Sequence, residues 1–259
     1  MIDINIDEHE IHKIVLDNLK TKKPLSIIRI GDGELCALEY DYNKTLTDKF
    51  YISHTGRVYP KNQIIEISNN IRTAIQESDI IGITPSYLIS QRPDSPWSIT
   101  NNKIYEILYP NHGLKRYCDM NLHFKLTHNN LLDDILKSVN ELYILTSRDV
   151  KDKLLKKYPN IKKIYFYKIP GEFKFEEEKT FEDFYPTIYN RIYSDFSKND
   201  YSGKLLLFGG GFIGKNLGVK FSKSGGVSID LGSVFDLFYG KLTRGEGKGS
   251  YSYIKSILE

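Results

Sequence analysis

Ser26-Ile27-Ile28-Arg29-Ile30-Gly31-Asp32-Gly33-Glu34-Leu35-Cys36-Ala37-Leu38 is the stretch that decides how this chain folds. The apolar run Ser26–Ile30 has the length and branched content of a buried strand, and Leu35–Leu38 opens a helix. Between them, Gly31-Asp32-Gly33-Glu34 sets two carboxylates two positions apart, just past the carboxyl end of the strand. Ligands of open α/β sheets bind at that end, and glycines let the backbone turn and a ligand come close. Paired hard oxygen donors suit Mn²⁺ or Mg²⁺, ions that usually arrive with a phosphorylated substrate. Asp-Gly is also a common turn pair, so two solvated acids in a turn are the alternative.

Outward from this stretch, strands and helices alternate. Helical periodicity covers Glu8–Leu19, Lys61–Ser78, Leu131–Val139, Val150–Tyr158, Ile213–Ser222 and an aromatic Phe181–Phe196, the last kinked or started near Pro186. Short apolar runs at Asp79–Thr84, Leu142–Thr146, Ile164–Tyr167, Lys204–Phe208 and Val227–Leu231 read as strands. Asp41–Pro60 is irregular, and Ser90–Ser98, with Pro93, Pro96 and Trp97, reads as loop. Gly245–Gly249 reads as a mobile loop before a short terminal helix. The expected fold is α/β, a mostly parallel Rossmann-like sheet with helices on both faces. No linker-like stretch cuts the chain, so residues 1–259 are expected to form one domain.

Composition narrows the function. A net charge of +3 and lysines present mainly as scattered residues and short pairs argue against nucleic acid as partner. The acidic N-terminus carries no basic-then-apolar signal, and no apolar run approaches a membrane span. Cys36 and Cys118 make neither a metal-spaced pair nor a disulfide framework, which points to a reducing cytoplasm. Peripheral association with the inner face of the membrane stays compatible with all of this.

A second motif lies near the C-terminus. Gly209-Gly210-Gly211-Phe212-Ile213-Gly214 matches G-x-G-x-x-G, follows a strand and opens a helix, and Asp230 ends the next strand at the distance of a ribose-binding acid. A helix N-terminus there would favour a phosphate or pyrophosphate, with Lys215 adding charge. NAD is one ligand of such a turn, but little chain follows Asp230 to complete a dinucleotide fold, and NAD has no use for the acids at Asp32 and Glu34. A nucleotide-sugar pyrophosphate would use both. Tight helix–sheet packing is the structural explanation of the same glycines.

Taken in order, the motifs resemble a family. Arg29-Ile30-Gly31-Asp32-Gly33-Glu34 resembles the GDGE signature of bacterial glycosyltransferases of the GT-D fold, once grouped as a domain of unknown function. Ile81–Thr84, Ser147-Arg148, Phe208–Asn216 and Ser228-Ile229-Asp230-Leu231-Gly232-Ser233 are similar to the family's later motifs, so the resemblance runs from about Leu25 to Tyr239. The glycine turn here has three consecutive glycines, and Ser233 stands where members often carry histidine. The resemblance implies a divalent ion held by Asp32 and Glu34 and a UDP-sugar as donor. It leaves open the sugar and the acceptor, a glycan or a glycosylated lipid or protein. The expected activity is sugar transfer in bacterial surface polysaccharide or glycoprotein synthesis. An NAD-dependent oxidoreductase and a non-catalytic module of a polysaccharide-assembly complex are the competing readings.

In that setting Gly31 and Gly33 shape the acidic turn, Arg29 orients its carboxylates or clamps phosphate in a fork, and Arg148 pairs with the diphosphate. Gly209, Gly210, Gly211 and Gly214 form the phosphate turn, and Asp230 binds ribose or braces that turn. An inverting enzyme also needs a base for the acceptor hydroxyl, for which His54 and Asp236 are candidates. His112, His123 and His128 have no metal-like spacing, and Trp97 is either a packing anchor or a platform for a sugar face.

Overall fold

The computed structural model describes residues 3–38, 44–91, 93–175 and 182–243. Seven strands, β1 (Leu25–Arg29), β2 (Ile80–Ile83), β3 (Arg116–Asp119), β4 (Glu141–Thr146), β5 (Lys163–Lys168), β6 (Leu205–Phe208) and β7 (Val227–Asp230), form one sheet in the order β3-β2-β1-β7-β6-β4-β5. Every pairing is parallel. The helices are α1 (Glu8–Thr21), α2 (Asp32–Leu38), α3 (Lys44–Thr55), α4 (Lys61–Glu77), α5 (Ser86–Gln91), α6 (Pro96–Leu108), α7 (Leu122–His128), α8 (Leu131–Lys137), α9 (Lys151–Lys157), α10 (Tyr189–Lys198), α11 (Gly211–Lys223) and α12 (Val234–Tyr239).

Strand side chains alternate between faces, and two cores follow from that period. Ile28, Ile81, Tyr143, Leu145, Leu206 and Phe208 pack with α2, α4, α6, α10 and α11. Their strand neighbours Ile27, Ile80, Leu142, Ile144, Leu205 and Leu207 pack with α1, α7, α8, α9 and α12. A sheet buried on both faces explains why the strands are continuous apolar runs. The chain builds outward from β1 to β3, crosses to the β4–β5 edge, and returns through β6 and β7 to β1.

Two expectations need correction and a third is met. Of the irregular 41–60 stretch, Lys44–Thr55 is a helix, whose weak amphipathic pattern hides it. The Ser90–Ser98 loop is shorter than expected: α5 runs to Gln91, and Pro96 is the first residue of α6, with the Ser95 side chain accepting from the Ser98 N–H. Proline is favoured at that first position because its missing N–H has no partner there anyway. The break expected near Pro186 in the aromatic helix is present: a π-type turn at Phe184–Ile188, with a cis Tyr185–Pro186 peptide inside it, precedes α10. Residue 181, Gly245–Gly249 and the expected terminal helix lie outside the described residues.

Candidate functional site

A cleft of about 500 Å³ runs along the carboxyl ends of the strands, lined by the segments that follow all seven of them. That volume is in the usual range for small-molecule sites. The Gly31–Glu34 segment lies on its wall, but as the start of α2 rather than as a separate turn.

Arg29, the last residue of β1, is admitted by two glycines. A Cβ at Gly82, its register partner on β2, would fall 2.9 Å from Arg29 Cγ. A Cβ at Gly232, just beyond β7, would fall 2.1 Å from Arg29 Nη2, and Gly232 has a positive φ of +47° that side chains disfavour. The guanidinium fills this slot. Its Nε donates to the Asp230 carbonyl at 3.1 Å, its Nη2 lies 3.3 Å from Asp230 Oδ1, and its Nη1 donates to the Met120 carbonyl at 3.1 Å and to His123 Nδ1 at 2.9 Å.

Asp230 continues the chain of charges. Its Oδ2 accepts from Lys215 Nζ at 2.5 Å, and the same ammonium lies 3.2 Å from Glu34 Oε1. Glu34 Oε2 accepts from the Gly31 N–H at 2.8 Å. Arg29, Asp230, Lys215 and Glu34 thus tie β1, β7, α11 and α2 together, and the last three are almost fully buried. Burial raises the Asp230 carboxyl, but Arg29 and Lys215 outweigh it and hold it below the usual carboxylate range. Burial, with the same two cations, pushes His123 far below the usual imidazole range. His123 is therefore neutral and accepts from Arg29. Its spacing in the sequence carries no sign of this role, because the fold alone brings the start of α7 beneath β1.

A second pair sits across the cleft. Arg148 Nε donates to Asp236 Oδ1 at 2.6 Å, and Asp236 Oδ2 accepts from Thr243 Oγ1 at 2.6 Å. The two residues assigned separately, to the diphosphate and to the acceptor, are thus partners of one another. His54 lies on α3, stacked on Phe50 with ring centroids 3.7 Å apart. Its Nδ1 is 3.0 Å from the Phe50 carbonyl, and its Nε2 is 3.7 Å from Glu172 Oε2. Trp97 is half-buried in the first turn of α6 and lines the cleft, as do Phe50, Phe124 and Phe212.

The glycine turn divides by position. A Cβ at Gly209 would fall 2.8 Å from the Gly232 carbonyl, and one at Gly210 2.8 Å from Gly214 Cα, so both serve close packing. Gly211 differs. Its φ is +56°, and a Cβ there would meet nothing within 4 Å. It opens the thirteen-residue α11, whose first N–H groups have no partner within the helix. Lys215 sits inside the charge network rather than at this turn. Gly211→Val is expected to lower nucleotide affinity at least tenfold by filling that space, and to cost about 1–2 kcal/mol of stability through its left-handed backbone. Titration with UDP and a urea melt measure the two; normal affinity with a collapsed melt would reduce the glycine to a packing role.

Asp32 begins α2, and its side chain lies outside the described residues. Among the described residues no three or more His, Cys, Asp or Glu side chains gather as a metal cage. Mn²⁺ or Mg²⁺ bound together with a diphosphate needs only one or two carboxylates. Glu34, the acid of the pair whose side chain is described, has Oε1 beside Lys215 Nζ and Oε2 on the Gly31 N–H, so it would reach an ion only by exchanging one of these partners. The wall of the cleft is balanced in charge. Its described cations Arg29, Lys215, Arg148 and Lys174 are matched by Asp230, Glu34, Asp236 and Glu172, so an incoming diphosphate finds no surplus positive charge among them.

The parallel sheet, with helices on both faces and a cleft lined by charged groups at its carboxyl edge, defines an α/β protein of Rossmann-like architecture. The chain belongs to the GT-D fold-like domain family, whose model matches residues 6–238, and so to a glycosyltransferase-type class. Among solved structures it is similar to the selenomethionine-substituted structure of domain of unknown function 1792, at 15% identity and a TM-score of 0.50. That match covers 90% of this chain and 79% of the other, and it shows the fold. No curated protein matches the chain. Among the described residues no helix is long and apolar enough to cross a membrane.

Proposed function

We propose that the chain is a glycosyltransferase that takes its sugar from a nucleoside-diphosphate donor, a UDP-sugar, and passes it to a glycan or to a glycosylated lipid or protein. The observation that carries this reading is the open space at Gly211, at the amino end of α11, facing the same cleft as Glu34. A helix N-terminus with unpaired N–H groups binds phosphate, and the glycine lets a diphosphate come close to it. Asp32 and Glu34 would hold a divalent ion, which when bound supplies Lewis-acid stabilisation of the leaving diphosphate.

The remaining roles fall to the chain's own groups. Lys215, held between Glu34 and Asp230, fixes the acidic segment against α11. Arg29 and neutral His123 hold Asp230 in place from the other side. Of the two candidate bases we give the role to His54; Asp236 is ion-paired with Arg148 and accepts from Thr243, and His54 has Phe50 and Ser53 beside Nδ1 and Glu172 near Nε2. Protonated at Nδ1, which lies 3.0 Å from the Phe50 carbonyl and 2.9 Å from Ser53 Oγ, His54 would present Nε2 as the basic nitrogen. Glu172, 3.7 Å from Nε2, would stabilise the imidazolium formed when the acceptor hydroxyl gives up its proton. His54→Ala is expected to lower kcat about 100-fold, the scale of lost general-base catalysis, with donor KM nearly unchanged. A kcat within about threefold of wild type would remove His54 from the chemistry.

No observation favours the oxidoreductase. The acid at the end of β7 that would bind a ribose is 2% exposed and held by Arg29 and Lys215. Hydrolysis of a panel of UDP-sugars, with and without Mn²⁺, tests the proposed activity, water standing in for the acceptor. Turnover of one donor only with the ion supports it; no turnover of any donor, with no UDP binding, contradicts it.

A further inference from the structure

Charge is unevenly placed in this molecule. Residues 149–168 carry seven lysines against two aspartates, a net +5, while the whole chain carries +3. The fold gathers them along one edge: α9 packs on β5, an edge strand of the sheet, with Lys168 on the α9 face of β5 beside Ile164 and Phe166 and Lys163 on the other face over Tyr165. Lys153, Lys156, Lys162, Lys163 and Lys168 are all exposed. Acids neutralise only part of the surface, Asp133 pairing with Lys157 and Asp149 with Lys151.

Apolar groups stand among these cations. Leu155, Tyr239 and Leu242 are 38–43% exposed. Tyr239 joins the patch to the cleft: its carbonyl accepts from Lys153 Nζ at 2.9 Å, and its ring lies 5.7 Å from the guanidinium carbon of Arg148, the partner of Asp236. Lysines mixed with exposed leucine and tyrosine are the chemistry of a surface that meets anionic headgroups while small apolar side chains enter the interface.

We propose that the α9–β5 edge docks the protein on an anionic lipid surface, with the Arg148 side of the cleft next to the headgroups. Resting on the transferase reading, the same placement makes a lipid-borne acceptor the substrate class this edge serves. Docking itself requires no donor and no turnover.

The full chain is sedimented with vesicles of phosphatidylcholine alone and with roughly 30 mol % phosphatidylglycerol, at low and high salt. Binding to the anionic vesicles only, weakened by salt, is expected. The triple variant Lys153→Glu/Lys156→Glu/Lys168→Glu should bind at least tenfold more weakly, and the corresponding triple arginine variant should bind as wild type does. Thermal melts show whether each variant folds, and UDP titration reads the cleft separately. Equal binding to both vesicle types, no binding to either, or retention on dextran sulfate without vesicle binding would overturn the proposal. The lysines would then only keep the edge strand from pairing with another chain.

Discussion

Asp230→Asn is expected to lower the unfolding free energy by about 3–5 kcal/mol at neutral pH, the cost of stranding buried charges without their partner. The wild-type carboxylate is 2% exposed and answers both Arg29 and Lys215. The amide keeps its size and one acceptor oxygen but removes the negative charge between two cations. Glu34 compensates only Lys215. Urea denaturation at several pH values checks both the magnitude and its origin. The Asp230 carboxyl titrates below its ordinary range in the folded protein, so its stabilising contribution is complete above the unfolded value. It is lost as pH falls through the lowered folded value. The difference between wild type and variant should therefore shrink below about pH 4. A neutral-pH difference under about 1 kcal/mol would mean that the network contributes little to the fold.

The second large effect concerns the acids. Asp32→Ala and Glu34→Gln are each expected to lower Mn²⁺-dependent UDP binding and turnover by more than about 100-fold, because the site has few carboxylates to lose. Glutamine at position 34 can still accept from the Gly31 N–H, and Lys215 retains Asp230. The fold is therefore expected to survive, which separates a ligand role from a bracing one. Unchanged turnover in both variants would remove the metal assignment and leave Glu34 as the group that holds the start of α2.

Much of the architecture is legible in the sequence because burial on both faces writes strands as apolar runs. Ile27–Ile28, Ile80–Ile81 and Leu205–Leu207 show it directly. β3 escapes for the opposite reason: Arg116-Tyr117-Cys118-Asp119 has only two buried residues, and its place is fixed by pairing with β2. The helix at Lys44–Thr55 escapes because its pattern is weak. At the cleft, the glycines and acids announce themselves by spacing, but their partners do not. Nothing local ties Arg29 to Asp230, some two hundred residues apart, or Arg148 to Asp236. Residues with a role expected at the ligand, Arg29, Lys215 and Asp230, are occupied with one another, which only packing reveals. Gly82 and Gly232 are likewise intelligible only once the Arg29 side chain is seen between them.

Calorimetric titration with UDP and with NAD(H), each with and without Mn²⁺, tests the central proposal most directly. Heat of UDP binding in the presence of the ion alone, with none from NAD(H) under either condition, is the predicted result. Tight NAD(H) binding that ignores the metal would contradict it.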